Sequence, residues 1–456
     1  MNPTYDVAVI GGGIVGAAIA RLLGGTPLST VLVEGRDDVG DGTSKANTAI
    51  LHTGFDAKPG TLESELVARG YHLLGSYASE VGIPVERTGA LLVAWTEEQL
   101  ASLPSLLEKA EKNGYRACRL VDADEVYRRV SALAAGALGA LTVPGESIIC
   151  TWTTNLALAT DAVNRGVTLL RGKRVTGVTG GALRFDDGSS VAARWVINAA
   201  GLGADKIDEL FGYDRFTVTP RRGELFVFDK LARPLVPVIV LPVPSKVGKG
   251  VLVSPTIYGN VMLGPTAEDL DDRTATGTSE EGFAFLRTKG AELMPTLLDE
   301  EVTASYAGLR AAIDRDDYLI SLDEDQRYLL VGGIRSTGLT AGMAIAEHVV
   351  SLLSDHLDVS ARPGLPPPPR MPNIGEAGVR PYQDAALIAA DPAYGQIVCF
   401  CERVTRGEIR DAFASPIPPA GLEGLRRRTR AMNGRCQGFY CGAEVQALIE
   451  NEGETR

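Results

Sequence analysis

The chain has 456 residues, 45% hydrophobic and 22% charged, with a formal net charge of −12. That length exceeds one ordinary compact domain and asks for two or three units. The acidic balance excludes non-specific nucleic-acid binding, which needs a basic face to displace phosphate counterions, and no stretch reaches the roughly 18–20 uninterrupted apolar residues of a membrane helix.

The first residues carry no export pattern of basic, apolar and small residues, and run straight into a strand, YDVAVIGGG. Cys118 and Cys150 are the only thiols before Cys399. A cytoplasmic chain in a reducing compartment is expected, with at most peripheral membrane association.

DVAVIGGGIVGAAIARLLGG reads as a buried strand from Val7 to Ile10, a glycine turn, and a helix rich in Ala17, Ala18 and Ala20. The turn supplies Gly11-x-Gly13-x-x-Gly16: the first glycine for the tight turn, the second for close backbone approach to a diphosphate, the third for helix–sheet packing. A second strand, TVLVEG, ends in Glu34 about twenty residues on, where an acid accepts hydrogen bonds from a ribose diol. These residues predict dinucleotide binding; the alternative is an ordinary glycine turn followed by an incidental acid. The glycines alone do not separate a flavin from a nicotinamide cofactor.

DGTSKANTAILHTGFD follows, with Thr43, Ser44, Lys45 and Asn47, then His52. It resembles the segment by which the D-amino-acid oxidase/glycerol-3-phosphate dehydrogenase superfamily runs along FAD towards the isoalloxazine ring. RWVINAAGLGAD, ending through Ala199, Ala200 and Gly201, resembles that superfamily's second nucleotide-side turn. YLLVGGIRSTGLTAGMAIAEHVV resembles its closing FAD segment: a strand, a turn at Gly333, and a helix whose Gly338, Leu339 and Thr340 would face the flavin's pyrimidine edge. The resemblance implies an α/β Rossmann-like FAD domain built from residues of about 1–85, 150–215 and 305–360. An α+β, antiparallel-sheet substrate domain from about 86–149 and 216–304 would roof the flavin. Strand-like stretches such as GALLVAW, RRGELFVFD, GVLVSP and NVMLGPT lie in these intervals. The proline-broken run PLVPVIVLPVP suits an edge strand or a bulge.

Hydride transfer from a secondary alcohol to a flavin needs a base for the hydroxyl proton and cations for the substrate's anion. Of four histidines, His72, His348 and His356 sit on helical stretches and read as structural or exposed. His52 lies where the family's segment passes the flavin, as the base or as a histidine bonded to backbone. YAGLRAAI resembles the family's Gly-Leu-Arg motif and makes Arg310 the anion clamp, although Ala311 stands where the family usually has proline. PRRGEL resembles its Arg-Gly-Glu strand, which would turn Arg222 and Glu224 towards the active site, and Arg335 is a third cationic candidate. The alternative for each arginine is an ion pair at the surface or between domains.

Prolines crowd residues 361–396, a composition of extended, semi-rigid linkers. Beyond it, residues 397–456 hold Cys399-x-Cys401 and Cys436-x4-Cys441. Cys-x-Cys bridges poorly with itself, and structural zinc sites prefer two to four residues between paired ligands, so zinc stays open beside an iron–sulfur cluster. CFCERVTRGEIRDAF and RRRTRAMNGRCQGFYCG resemble the bacterioferritin-associated-ferredoxin type of [2Fe-2S] domain, which also forms the tail of the anaerobic glycerol-3-phosphate dehydrogenase large subunit. That resemblance makes the four cysteines cluster ligands, with Thr405 capping a helix and Arg426, Arg427, Arg428 and Arg435 offsetting cluster charge or forming a solvated face.

A flavin taking two electrons and a [2Fe-2S] centre passing one at a time imply a dehydrogenase of a small anionic substrate, with FAD and the cluster as cofactors. Electrons would leave for a quinone or a partner subunit. sn-Glycerol 3-phosphate is the expected substrate; L-2-hydroxyglutarate, an opine or an amino acid, and a non-enzymatic redox carrier, are the alternatives.

Overall fold

The structure is a computed structural model and describes residues 4–244 and 250–454. The first strand, Thr4–Ile10, is buried from Val7 onward because it lies between two parallel neighbours, Thr30–Val33 and Ser190–Asn198. Strands covered on both faces read as continuous apolar runs. These form the centre of an eight-stranded sheet that also takes Tyr328–Gly332, parallel to Ser190–Asn198. The helix Ile14–Leu23, built of small residues, packs closely against the helices Thr151–Asn164 and Gly338–Leu353. The fold is α/β in this layer.

A second, nine-stranded sheet holds Ala90–Ala94, Gly139–Val143, Thr219–Phe228 and Val302–Ala312. It is antiparallel except for one pair, Ile239–Pro242 beside Ala90–Ala94. That pair corrects the edge-strand expectation: Ile239–Pro242 is an interior strand, since its prolines flank the paired residues or end them. The interval expected to begin the last FAD piece near 305 also differs, because its residues through Ala312 complete the substrate sheet.

A small sheet joins Ile50–Leu51, Ser147–Ile149 and Val85–Glu86. Its antiparallel register sets Leu51 opposite Ser147, so His52 and Glu146 emerge side by side. Among the described residues no helix is long and apolar enough to cross a membrane.

The C-terminal unit is a hairpin, Ile397–Cys399 with Val404–Thr405, and the helices Arg406–Ala414, Leu422–Thr429 and Gly442–Glu454. Thr405 Oγ1 accepts from Glu408 N, and Glu408 Oε2 accepts from Thr405 N, the reciprocal capping box that starts the first helix. The proline-rich segment before this unit lies along the body. Met371 N donates to Val81 O at 2.7 Å, Ile374 is buried, and Arg380 is 1% exposed beside Glu408.

Buried ion pairs fasten the tail to the nucleotide domain. Asp38, shortly after Glu34, accepts from Arg428 Nη1 at 2.6 Å and Nη2 at 2.8 Å, and from Arg427 at 3.1 Å. Arg427 also reaches Asp41 at 2.6 Å. Arg426 pairs with Glu423, and Arg435 with Asp229 at 2.9 Å. The arginine-rich helix is therefore neither a cluster counter-charge nor a solvated face: two of its arginines dock on the FAD loop.

Removing one partner of a buried pair leaves the other charge stranded, at about 3–5 kcal/mol. Arg428→Ala is expected to lower the tail's local stability by that amount, read by native-state hydrogen exchange of residues 397–451. Burial pushes the Asp38 carboxyl up, but the bonds and charges of Arg428, Arg427 and Arg171 outweigh it and hold its pKa below the ordinary range. A depressed carboxylate contributes stability above its unfolded pKa and loses it as pH falls through the folded value. Tail protection should therefore drop below about pH 4, and Asp38→Asn should flatten that drop.

Candidate active site and cluster site

The glycine turn forms as its spacing requires. A Cβ on Gly11 would collide with the Ala199 carbonyl, and one on Gly16 would fall inside the Gly11 carbonyl oxygen. The first turn, the first helix and the turn at Ala200 and Gly201 are thus in backbone contact. Gly13 precedes the helix, and Ser44 Oγ accepts from Ile14 N at 2.9 Å, placing a hydroxyl at that helix N-terminus. Glu34 turns back on the same turn, accepting from Gly12 N and Arg36 N, both at 2.7 Å. Each carboxylate oxygen retains a second lone pair for a ribose hydroxyl.

Thr43 Oγ1 donates to Leu309 O, and Asn47 Nδ2 donates to Ser44 O and Thr151 Oγ1, both at 2.9 Å. The Thr43 bond ties the FAD loop to the substrate sheet, and the Asn47 bonds tie it to the helix Thr151–Asn164. Gly333 lies in the turn after Tyr328–Gly332, and Gly338 opens the last helix. Leu339 is partly buried, and the fully buried Thr340 accepts from His52 N at 3.0 Å. The Asn155 amide donates to Gly12 O while its Oδ1, buried at the same turn, has no partner among the described residues. A glycine cradle that any Cβ would fill, an unmet acceptor and an acid at the second strand's end suit a dinucleotide.

His52 is held on two sides. Its Nδ1 lies 2.9 Å from Glu146 Oε2, and the other carboxylate oxygen accepts from Thr53 N at 2.6 Å and Thr53 Oγ1 at 2.9 Å. The Glu146 side chain is 0% exposed and that of His52 25%. The sequence reading missed Glu146; its signal is a lone acid, VPGESII, between two apolar strands.

Strand parity decides the arginines. Val302–Ala312 pairs with Thr219–Phe228 so that Arg310 lies opposite Arg221, Gly308 opposite Gly223, and Ala307 opposite Glu224. Gly308 abuts Ala46 of the FAD loop so closely that a Cβ there would strike the Ala46 carbonyl, and Tyr306 Oη donates to Asn47 O at 2.8 Å. Alternate residues share a face, so Arg310 and Arg221 face the FAD loop.

Arg222 and Glu224 point the other way, correcting the expectation that they face the site. Glu224 caps the helix Glu280–Leu293 through Ser279 Oγ at 2.8 Å and lies 3.0 Å from Arg222 Nε, while Arg222 also bonds Glu268. Arg335 is engaged by Glu63 at 3.2 Å and Asp316 O at 2.7 Å. Arg310 has no hydrogen-bond or ion-pair partner among the described residues. Burial first, and the Arg221 charge second, push its pKa down.

The four tail thiols converge as two adjacent pairs, Cys401 with Cys436 and Cys399 with Cys441. Backbone N–H groups of Tyr440, Phe439 and Gly438 draw the Cys436 thiol down. Met432 N donates to Cys399 Sγ at 3.5 Å. Burial and the neighbouring Cys399 push the Cys441 thiol up to about 12, so four thiolates here need a cationic core between them. Two pairs of thiols suit a two-iron centre. Arg403, Arg430, Met432 and Gln437 take positive φ around these thiols, a conformation rare outside glycine, and the one at Met432 turns its N–H to Cys399. Cys118 and Cys150 are buried elsewhere.

The FAD dependent oxidoreductase family model matches residues 6–352, and that of the BFD-like [2Fe-2S] binding domain residues 397–451. The chain belongs to the FAD dependent oxidoreductases and carries FAD and a [2Fe-2S] centre as its cofactors. Over 454 residues it is 34% identical to glycerol 3-phosphate dehydrogenase of Caloramator mitchellensis, spanning 98% of this chain and 94% of that one. Glycerol 3-phosphate oxidase of Mycoplasma genitalium is 27% identical, over 77% of this chain and 95% of its own. The L-alpha-glycerophosphate oxidase of Mycoplasma pneumoniae, solved with FAD bound, superposes with a TM-score of 0.76 at 28% identity, covering 82% of this chain and all of that one.

Gly16→Ala drives a methyl group into the Gly11 carbonyl and forces the first helix away from the turn. FAD retained per chain after gel filtration, read from flavin absorbance, is expected to fall at least tenfold; an unchanged content would show that the helix has room to move.

Proposed function

We propose that this protein oxidises sn-glycerol 3-phosphate to dihydroxyacetone phosphate and delivers the electrons, through its [2Fe-2S] tail, to a partner protein or quinone rather than to oxygen. The observation that carries the substrate reading is Arg310, a half-buried guanidinium on the face against the FAD loop that pairs with no acid among the described residues. A half-buried cation of this kind gains from a ligand that supplies the anion. Its planar fork pairs two oxygens of a phosphate at once. Arg221 beside it is offset by its bidentate pair with Asp269, which leaves Arg310 as the cation for the phosphate.

His52 is the base in this reading. Glu146 accepts a hydrogen bond from Nδ1–H, which makes Nε2 the basic nitrogen for the proton of the substrate's C2 hydroxyl. The buried carboxylate then steadies the imidazolium, while the Thr340 bond to His52 N fixes the ring's position. FAD, when bound, supplies the acceptor for the hydride leaving C2.

The tail supports the acceptor reading. The Mycoplasma genitalium oxidase aligns over 95% of its own length yet 77% of this chain, so it has little length left for such a tail, whereas the dehydrogenase aligns with 98% of this chain. Anaerobic mixing with glycerol 3-phosphate should bleach the flavin and then give the paramagnetic signal of a reduced cluster. Absence of bleaching by phosphorylated polyols, hydroxy acids or opines would favour a redox carrier without a substrate.

Arg310→Ala should raise the KM for glycerol 3-phosphate at least tenfold, in keeping with about 1.5–3 kcal/mol for a charged hydrogen bond. Arg222→Ala, on the opposite face, should change it less than about twofold if the fold is kept; equal effects would remove Arg310 from the site. Glu146→Gln should lower kcat by about 10–100-fold, as typical for the partner that orients a functional histidine, with KM within about threefold. A kcat near wild type would take Glu146, and with it this account of His52, out of the reaction.

A further inference from the structure

Of the four aromatic side chains that stand largely exposed among the described residues, three sit on the two loops that carry the tail cysteines. Phe400, between Cys399 and Cys401, is 74% exposed; Phe439 and Tyr440, just before Cys441, are 83% and 79% exposed. Phe439 and Tyr440 pack edge to face, with ring centroids 5.1 Å apart. Solvent-facing aromatics grouped this way mark contact surfaces.

Their position selects what they contact. Cys399 and Cys441 are buried while Cys401 and Cys436 are partly exposed, so the thiol cluster has one open edge. Elsewhere the tail docks on the body through Arg428 on Asp38 and Arg435 on Asp229, and on the proline-rich segment through Glu408 near Arg380. The exposed aromatics lie on the same loops as the open thiols.

Charge then distinguishes the occupant. The rim carries the exposed Glu444 and Glu301, the latter paired with Arg435 at 3.5 Å, and the whole chain bears −12. An anionic lipid surface would be repelled; a protein with an apolar socket ringed by basic groups would be attracted.

We propose that Phe400, Phe439 and Tyr440 form the docking surface for an electron-accepting protein with such a basic-rimmed apolar socket. This rests on the dehydrogenase reading above. Each encounter moves one electron from the reduced cluster to the acceptor, so one substrate molecule, giving up two electrons, serves two encounters.

Cytochrome c, a basic redox protein with an exposed haem edge, is the probe. With the full-length holoprotein reduced by dithionite, Phe439→Ser is expected to lower the second-order rate of cytochrome c reduction at least fivefold. Added salt should slow the wild type. Calorimetric titration of the oxidised protein with oxidised cytochrome c should show at least fivefold weaker association for the variant. Flavin absorbance and the spectrum of the reduced cluster should be unchanged, and Tyr440→Ser serves as an independent second variant. Equal rates and affinities for variants and wild type would overturn the proposal. So would a wild-type dimer, or binding to anionic phospholipid vesicles, that either variant abolishes. Because dithionite bypasses the substrate, failure of glycerol 3-phosphate to bleach the flavin would count against the substrate reading alone.

Discussion

The docking of a small redox tail on a flavin domain hangs on the pair between Asp38 and Arg428. Two charges taken out of water gain little net stability over well-packed apolar groups, but they tolerate one geometry. Here the carboxylate sits in the loop that follows Glu34, and the guanidinium uses both outer nitrogens on it. The residues that shape the nucleotide site and those that locate the tail are thus one segment of chain. A shift of the tail would have to break a buried bidentate contact, and a shift of the loop would disturb the cradle.

The substrate side follows from a simpler constraint, the two-residue period of a strand. PRRGEL places adjacent arginines on opposite faces, and the contact of Gly308 with Ala46 says which face looks at the FAD loop. On the inner face Arg221 is paired with Asp269, and Arg310 stands as the cation where a substrate anion is needed. The outer pair, Arg222 and Glu224, anchors a helix. One strand therefore builds the roof and the anion site together, and exchanging the two roles would take a one-residue slip of register.

How far the sequence could be read depended on whether a signal was local. The glycine turn, Glu34 and the capping box at Thr405 are encoded within short windows and form as their spacing implies, whereas the four cysteines pair across their two short motifs, Cys401 with Cys436 and Cys399 with Cys441. Arg222 was misplaced because adjacent arginines look alike until the partner strand fixes parity. Glu146 was invisible because it reaches His52 through a pairing across 94 positions. The arginine-rich helix read as cluster chemistry or a wet surface because its partner, Asp38, lies 390 positions away. The proline-rich segment read as a spacer, yet Ile374 and Arg380 are buried in it, and nothing in a linker composition announces that.

The joint between the two cofactor regions shows why docking and cluster binding belong to one device. Trp152 Nε1 donates to Lys45 O in the FAD loop at 3.0 Å, and its ring stacks on Tyr258 at 5.1 Å. Arg430 lies over Tyr258 at 4.0 Å and pairs with Glu402, next to Cys401, at 2.8 Å. Two residues beyond Arg430, Met432 donates its N–H to Cys399 Sγ. Arg430 and Met432 both hold positive φ, which side chains adopt at a cost of order 1–3 kcal/mol. Arg430 is buried against the body, and Met432 turns its N–H to a thiol. The strained turn is therefore held from both ends, by an aromatic and ionic contact on one side and a cluster ligand on the other. One short turn thus carries both a contact that seats the tail and a contact to a cluster thiol, so the tail's seat on the body and the shape of its metal site share the same few residues.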